Sequence, residues 1–210
     1  MSALKSYEKR FVYLEQRQYV HGTSMSSGLF ETVALWDLGA IEKIQMNIHS
    51  SLTEHGRYDL YPINDKPHLS EKGYNALFRL ACDTGTYVVG LKGNGERVSD
   101  RRPYDEDSLV NGYHVVQANK SAVFKLNTKL PLLNVLIALN KKLVNRLFPA
   151  EGYGQWFLSR YDLDWAEACR NIPETLEIKI AGNIGLGHTF STIIMGETTM
   201  GSIYFSRSPI

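Results

Sequence analysis

Two carboxylates stand on a stretch that offers them little water. Gly28 to Leu38 reads GLFETVALWDL. At about 100° per residue, Val33, Phe30, Ala34, Leu38, Leu35 and Trp36 spread round the whole circumference of a helix. Glu31 then falls between Leu38 and Leu35, and Asp37 between Val33 and Phe30. A carboxylate buried in apolar surroundings costs roughly several kcal/mol unless it is paired, hydrogen-bonded or protonated. Such groups are candidates for acid–base or nucleophilic work. Six residues apart, the two acids point about 240° from each other, so at most one of them faces a shared site. The bland alternatives are a first-turn Glu31 favoured by the helix dipole, with Ser27 as N-cap and Gly28 at the first helical position, and an Asp37 bonded to a neighbouring loop.

Ahead of this helix lies HGTSMSSG, His21 to Gly28. Glycines here let a ligand approach the backbone closely, and free N–H groups at a helix start can hold a carbonyl oxygen or an oxyanion. His21, Gly22, Thr23, Ser24 and Gly28 are therefore candidate site residues, set against the plainer reading of His21 as a satisfied loop histidine. The remaining histidines carry less: His49, His55 and His68 match no metal-ligand spacing and have no cysteine beside them, so no metal is expected, and His188 reads as structural. GLKGNGER (Gly90 to Arg97) follows a strand without leading into a helix, so it is a turn and not a phosphate cradle. No GxSxG elbow is present.

The elements that must position these residues read as a duplication. Pro131 to Lys141, PLLNVLIALNK, matches Gly28 to Leu38 at an offset of 131 − 28 = 103 residues. At that offset Glu31 falls on Asn134 and Asp37 on Asn140, so carboxylates in one copy face amides in the other. Asn134 becomes a candidate for polarising a ligand carbonyl. The buried helices are expected over 28–40 and 130–147. Strands are expected before them, over Arg10 to Val20 and Tyr113 to Val123, and after them, over Ile41 to Leu52 and Leu176 to Gly187. Closing strands fall at Arg57 to Ile63 and Thr86 to Lys92, separated by a helical insert at Ser70 to Cys82. In the second half they fall at His188 to Gly196 and Gly201 to Arg207, joined as a hairpin. About 32 extra residues follow the second helix, with a short helix near Asp164 to Arg170. The halves are 1–98 and 112–210, joined by a solvated crossover loop at 99–111 within one compact unit. The bland alternative is a single α+β domain with two unrelated core helices.

Composition narrows the classes. The 210 residues are 43% hydrophobic, enough for a full core, and 23 basic against 22 acidic residues leave a net charge of +1. That balance gives no electrostatic case for nucleic acid. MSALKSYEKRF has no apolar core of a signal peptide, and the run LPLLNVLIAL is about half of the ~20 residues a membrane span needs. Cys82 and Cys169 stand alone, as reduced thiols in a cytoplasmic protein would. No cofactor is expected.

The order strand, buried helix, three strands, given twice, resembles the hotdog fold of thioesterases and acyl dehydratases, here as a double hotdog. The resemblance covers most of the chain and rests on element order and the repeat; HGTSMSSGLFE is similar to the glycine-containing loop before the helix in hotdog dehydratases, without its usual proline. It implies an α+β fold in which a curled antiparallel sheet wraps each buried helix. It also implies an acyl thioester partner, carried by coenzyme A or an acyl carrier protein, and a possible homo-oligomer. On that basis Glu31 would activate water or attack the acyl carbon, the backbone N–H groups around Thr23 to Gly28 would stabilise the oxyanion, and His21 or Asn134 would orient the carbonyl. Hydrolysis or acyl transfer fits better than dehydration. The dehydratases cross a loop His with an acid on the other unit's helix, and here that helix offers Asn134 and Asn140. A non-catalytic accessory protein holding an acyl chain is the alternative, and a cone-shaped cyclase or isomerase domain is a third.

Overall fold

A computed structural model describes residues 3–65, 73–126, 129–149, 154–170, 172–185 and 187–207. The chain divides into two compact units, Met1–Tyr104 and Asp105–Ile210, with the division inside the segment read as a crossover loop. Both are antiparallel α+β units.

The first unit contains β1 (Lys5–Lys9), β2 (Tyr13–Leu14), α1 (Gly22–Trp36), β3 (Ile41–Ile48), β4 (Glu54–Pro62), β5 (Ala76–Cys82), β6 (Gly85–Arg97) and β7 (Arg101–Arg102). Its sheet runs β1-β4-β6-β5-β3. Helix α1 lies on one face, where the Tyr58 hydroxyl donates to the Met25 carbonyl at 2.5 Å and Ser26 Oγ approaches Met46 Sδ at 3.7 Å. The other face carries a smaller apolar cluster of Tyr61, Tyr74 and Val88, with Ala3, Ile63 and Leu77 against it.

The second unit contains β8 (His114–Val116), β9 (Ser121–Lys125), α2 (Leu132–Leu147), β10 (Phe157–Asp164), α3 (Trp165–Arg170), β11 (Thr175–Ile184), β12 (His188–Met195) and β13 (Thr198–Ser206). Its sheet runs β10-β13-β12-β11-β9-β8. β12 and β13 form the expected hairpin, and α3 falls where the short helix was expected.

Several expectations are corrected. Helix α1 begins at Gly22, six residues before Gly28. Ser26, which read as loop, is absorbed by bonding back along the helix, its Oγ donating to the Gly22 carbonyl. Nor is α1 buried all round. Ser27, Glu31, Ala34 and Leu35 form an exposed stripe at helical spacing, with Leu35 63% exposed. Helix α2 fits the expectation over 135–140, buried without a break, but meets water at Asn145 and Arg146.

Arg10 to Val20 is not one strand. Glu15 takes a left-handed φ of 53°, and β2 pairs in parallel with β7 in a separate two-stranded ribbon. Tyr113 to Val123 is likewise broken, at Lys120 with φ 50°. The insert expected as a helix over Ser70 to Cys82 holds strand β5 (Ala76–Cys82) and no helix over its described part from residue 73; residues 70–72 lie outside the described residues. Ala76, Phe78, Leu80 and Cys82 are buried while Leu77, Arg79 and Ala81 are not, a period of two. Finally, the strand that follows α2 is β10, inside the block read as an insertion.

Candidate functional site

The start of α1 gathers part of the candidate set. His21 occupies the N-cap in extended backbone (φ −70°, ψ 147°), and its side chain makes no capping hydrogen bond. Its carbonyl accepts the Met25 N–H at 3.1 Å. Its imidazole is 6% exposed and is held by Thr23, whose Oγ1 lies 2.8 Å from Nδ1. The ring tilts against Tyr104, centroids 5.9 Å apart, and Tyr104 also carries the Arg17 guanidinium 5.6 Å from its centroid. Gly22 and Thr23 are buried and Ser24 is half-buried. The first-turn N–H groups of Gly22, Thr23 and Ser24 have no carbonyl behind them within the helix, and no acid occupies that turn. The result is a donor-rich helix end beside a fixed, buried imidazole.

The other candidates lie elsewhere. Gly28 sits two turns into α1, under the Tyr58 ring. A Cβ there would stand 2.6 Å from the Tyr58 hydroxyl oxygen, so this glycine serves close packing of helix on sheet. Glu31 is mid-helix, its side chain 54% exposed and ion-paired with Lys9. The expectation that it has no polar face to escape to is overturned, because the stripe it belongs to meets water. Asp37 is exposed at the C-cap with φ 55° and ψ 50°, its N–H bonded to the Ala34 carbonyl at 3.2 Å. That is a helix-ending role for a residue tolerant of the left-handed region. Asn134 is in the first turn of α2, half-buried, its N–H on the Pro131 carbonyl. Asn140 is fully buried and accepts the Ser191 hydroxyl at 2.6 Å.

The deeply buried carboxylate of the first unit was missed. Asp59 on β4 is 1% exposed. Ser6 Oγ donates to it at 2.6 Å, Arg57 Nε at 2.7 Å and the Tyr74 hydroxyl at 2.9 Å, while Lys92 Nζ lies 3.3 Å away. Tyr61 and Tyr74 share a further hydroxyl contact at 2.7 Å. Burial alone would raise the Asp59 pKa; the three hydrogen bonds and the Lys92 charge outweigh it and hold the carboxyl below its ordinary value. Burial, with the bonds to Tyr61 and Asp59, pushes the Tyr74 phenol up. Gly90 makes the arrangement possible, since a Cβ there would meet the Tyr74 ring at 2.5 Å. The signal was present in RYDLY, Arg57 to Tyr61. An acid alternating with apolar residues in a strand has to sit on a face of its own. With this many partners the carboxylate has a structural task on the face of the sheet away from α1.

Apart from the short β2, β7 and β8, each unit supplies a strand, a long helix and four further strands, paired antiparallel. Among solved structures, the chain aligns with the pyran synthase domain from module nine of the sorangicin pathway over 98% of its own length and 93% of that chain, at 11% identity and a TM-score of 0.51. The fold is a double hotdog. A putative thioesterase II from Thermobifida fusca YX aligns at 9% identity and TM-score 0.48, over 99% and 94% of the two chains. An acyl-ACP thioesterase from Bacteroides thetaiotaomicron VPI-5482 aligns at 10% and 0.46, over 97% of each. No protein-family model and no curated protein sequence matches the chain. The hotdog units differ in their closing strands. The second is a plain meander, β11, β12 and β13 side by side, whereas in the first β6 lies between β4 and β5. Among the described residues no cluster of His, Cys, Asp and Glu could hold a metal ion, and no helix is long and apolar enough to cross a membrane.

Proposed function

We propose that this double hotdog protein acts on acyl thioesters of coenzyme A or of an acyl carrier protein, hydrolysing them or transferring the acyl group at the start of α1. The observation that carries the reading is His21, a buried imidazole fixed by Thr23 at a helix start that its side chain does not cap. The thioester oxygen would rest on the N–H groups of Gly22, Thr23 and Ser24, where negative charge develops in the transition state. Water or an acceptor hydroxyl would attack the acyl carbon while the imidazole takes its proton. As the C–S bond breaks, that proton passes to the leaving thiolate, giving a free thiol and an acid or ester. Glu31 and Asp37 take no part: one is paired with Lys9 in solvent and the other ends the helix.

The test is turnover of a panel of acyl-CoA and acyl-carrier thioesters by the purified chain and by His21→Ala. The expected result is turnover that falls about a hundredfold or more in the variant, with an unchanged circular dichroism spectrum. A chain that neither turns over nor binds any thioester overturns the proposal. A second reading, an acyl-binding protein without turnover, is favoured by the departure of both helix carboxylates, which leaves His21 as the one titratable member of the candidate set at the helix start. Co-purified acyl ligand with no turnover would select it.

A further inference from the structure

The second unit leaves an edge of its sheet open at β8. This strand ends the sheet, and among the described residues it pairs with β9 alone. An open edge presents unpaired N–H and C=O groups to any extended chain, and proteins commonly guard such edges with charge or proline. β1, at the edge of the first unit's sheet, carries Lys5, Glu8 and Lys9. The β8 segment, Tyr113 to Gln117, reads YHVVQ and carries no Lys, Arg, Asp, Glu or Pro. Val116 is 39% exposed there. Gly112 and Lys120, at φ 86° and 50°, turn the chain into β8 and out of it towards β9.

Beside this edge lies a groove of about 570 Å3, lined by Tyr113, Val115, Gln117 and Arg146. The strand register shows which face of the sheet it occupies. Ser191 of β12 donates to Asn140 of α2, so its face is the one that α2 covers. Ser191 stands opposite Ile180 of β11. Ile178, two residues along, stands opposite Ala122 of β9, and Ala122 opposite Val115. Val115 and Tyr113 therefore face the side of the sheet that carries α2, and Arg146 in the last turn of α2 completes the groove. The charges around it are uneven. Lys141 pairs with Glu106 and Lys142 with Asp107. The exposed Arg146 guanidinium has no hydrogen bond or ion pair among the described residues.

We propose that this edge and groove dock an extended, acidic segment of another protein, which joins the sheet as a strand beside β8. Strand addition draws affinity from main-chain hydrogen bonds and specificity from pockets for alternate side chains. Side chains on the groove side of the added strand meet Val115 and Arg146. The segment therefore carries a carboxylate with an apolar residue two positions away. The carboxylate takes the planar guanidinium fork of Arg146. A second copy of this chain fits less well, because its own edge segment, YHVVQ, has no acid to offer Arg146. Neither the site nor its test depends on thioester turnover.

The probe is a fluorescein-labelled peptide of alternating valine and threonine with glutamate in place of one central valine, its binding to the full chain read by anisotropy. It is compared with the same peptide bearing glutamine there, and with two versions N-methylated on one or the other set of alternate backbone nitrogens. The glutamate peptide is expected to bind about tenfold tighter than the glutamine peptide, and Arg146→Gln to remove that difference. Lys179→Gln, the same charge change at an exposed position on β11, leaves the difference as it was. One methylated version should lose binding and the other keep it, since only one edge of the added strand faces β8. Equal effects of the two versions overturn strand addition, and a wild type that binds no peptide overturns the site. Free glutarate that competes as well as the peptide does would replace the docking site with a small-carboxylate pocket. A chain that sediments as a dimer until Val116→Lys splits it would show a second copy on the edge, and that also overturns the peptide site.

Discussion

The two long helices differ in what they do with polar residues. Helix α2 is buried through 135–140, and its one polar residue there, Asn140, spends its carbonyl oxygen on Ser191. Helix α1 keeps an exposed stripe and places its acid in it. Aligned by their first residues, the helices are offset by 132 − 22 = 110, and Glu31 then matches Lys141. Each of these makes an ion pair with a residue ahead of its own helix, Glu31 with Lys9 and Lys141 with Glu106. The charge contrast between the halves is therefore a pair with its signs exchanged, where the sequence match suggested a working acid against a spent amide. The two units also differ in their second layer. The first buries a carboxylate, Asp59, on the face away from its helix, and no Asp or Glu is buried among the described residues of the second.

The largest effect is expected where the units differ most. Asp59→Ala strips the acceptor from Ser6 and Tyr74 and leaves Arg57 and Lys92 facing each other across the gap. Breaking a buried ion pair from one side costs about 3 to 5 kcal/mol; Arg57 and Lys92 are partly exposed, which points to the lower end. Urea denaturation should read this loss. The same residue gives the fold a pH dependence. Its folded pKa lies below the unfolded value, so its stabilisation is complete above the ordinary carboxylate range near 4 and is lost as the pH falls through the folded pKa. Between pH 5 and pH 3 the wild type should lose more stability than Asp59→Asn. Parallel curves would mean that the network does not hold the carboxyl in its charged form.

A smaller effect is expected at the contact of α1 with its sheet. Gly28→Ala drives a methyl group to 2.6 Å from the Tyr58 hydroxyl, an overpacking worth about 1 to 3 kcal/mol. In a Tyr58→Phe background the same substitution should cost less, because the oxygen it strikes is gone. The helix-start alignment sets Ala138 of α2 against Gly28, so the second unit already accepts the methyl group there. An equal cost in both backgrounds would assign the penalty to α1 itself and not to the ring.

The slip between the offsets of 103 and 110 shows how much of this was legible. The difference is 110 − 103 = 7 residues, close to two helical turns, and sliding an apolar helix by two turns leaves its faces nearly where they were. The existence of two core helices could be read from the residues, but their register could not. The β5 segment failed for a related reason. ALFRLAC satisfies both a period of two and a helical face when only seven residues are available, and pairing with β3 and β6 decides it. Arg10 to Val20 contains the right residues for a strand, yet Glu15 breaks it by a backbone conformation its identity does not announce. The start of α1 was misjudged by six residues because Thr23, Ser24, Ser26 and Ser27 are turn-favouring types, so His21 and Thr23, read as loop, stand at the N-cap and in the first turn. Asp59 was not legible as buried because an acid alternating with Tyr58 and Leu60 is the pattern of a strand with one solvated face, and a second apolar layer of Tyr61, Tyr74 and Val88 covers that face here.

The smallest effect is expected at the exchanged pairs, and it tests whether the exchange matters. Lys9–Glu31 is exposed on its acid, 24% and 54%, whereas Lys141–Glu106 is more enclosed, 22% and 13%. An exposed pair contributes about 0 to 1 kcal/mol, and a hydrogen bond to a charged group out of solvent about 1.5 to 3. Lys141→Met should therefore lower the denaturation midpoint more than Lys9→Met does, and Glu31→Gln should leave both stability and thioester turnover close to wild type. Reversing the first pair, Lys9→Glu with Glu31→Lys, restores an attraction with the charge order of the second unit. A double variant more stable than either single one shows that only the attraction counts. If the reversal instead abolishes thioester turnover, Glu31 does chemistry after all, and the contrast first read from the sequence returns.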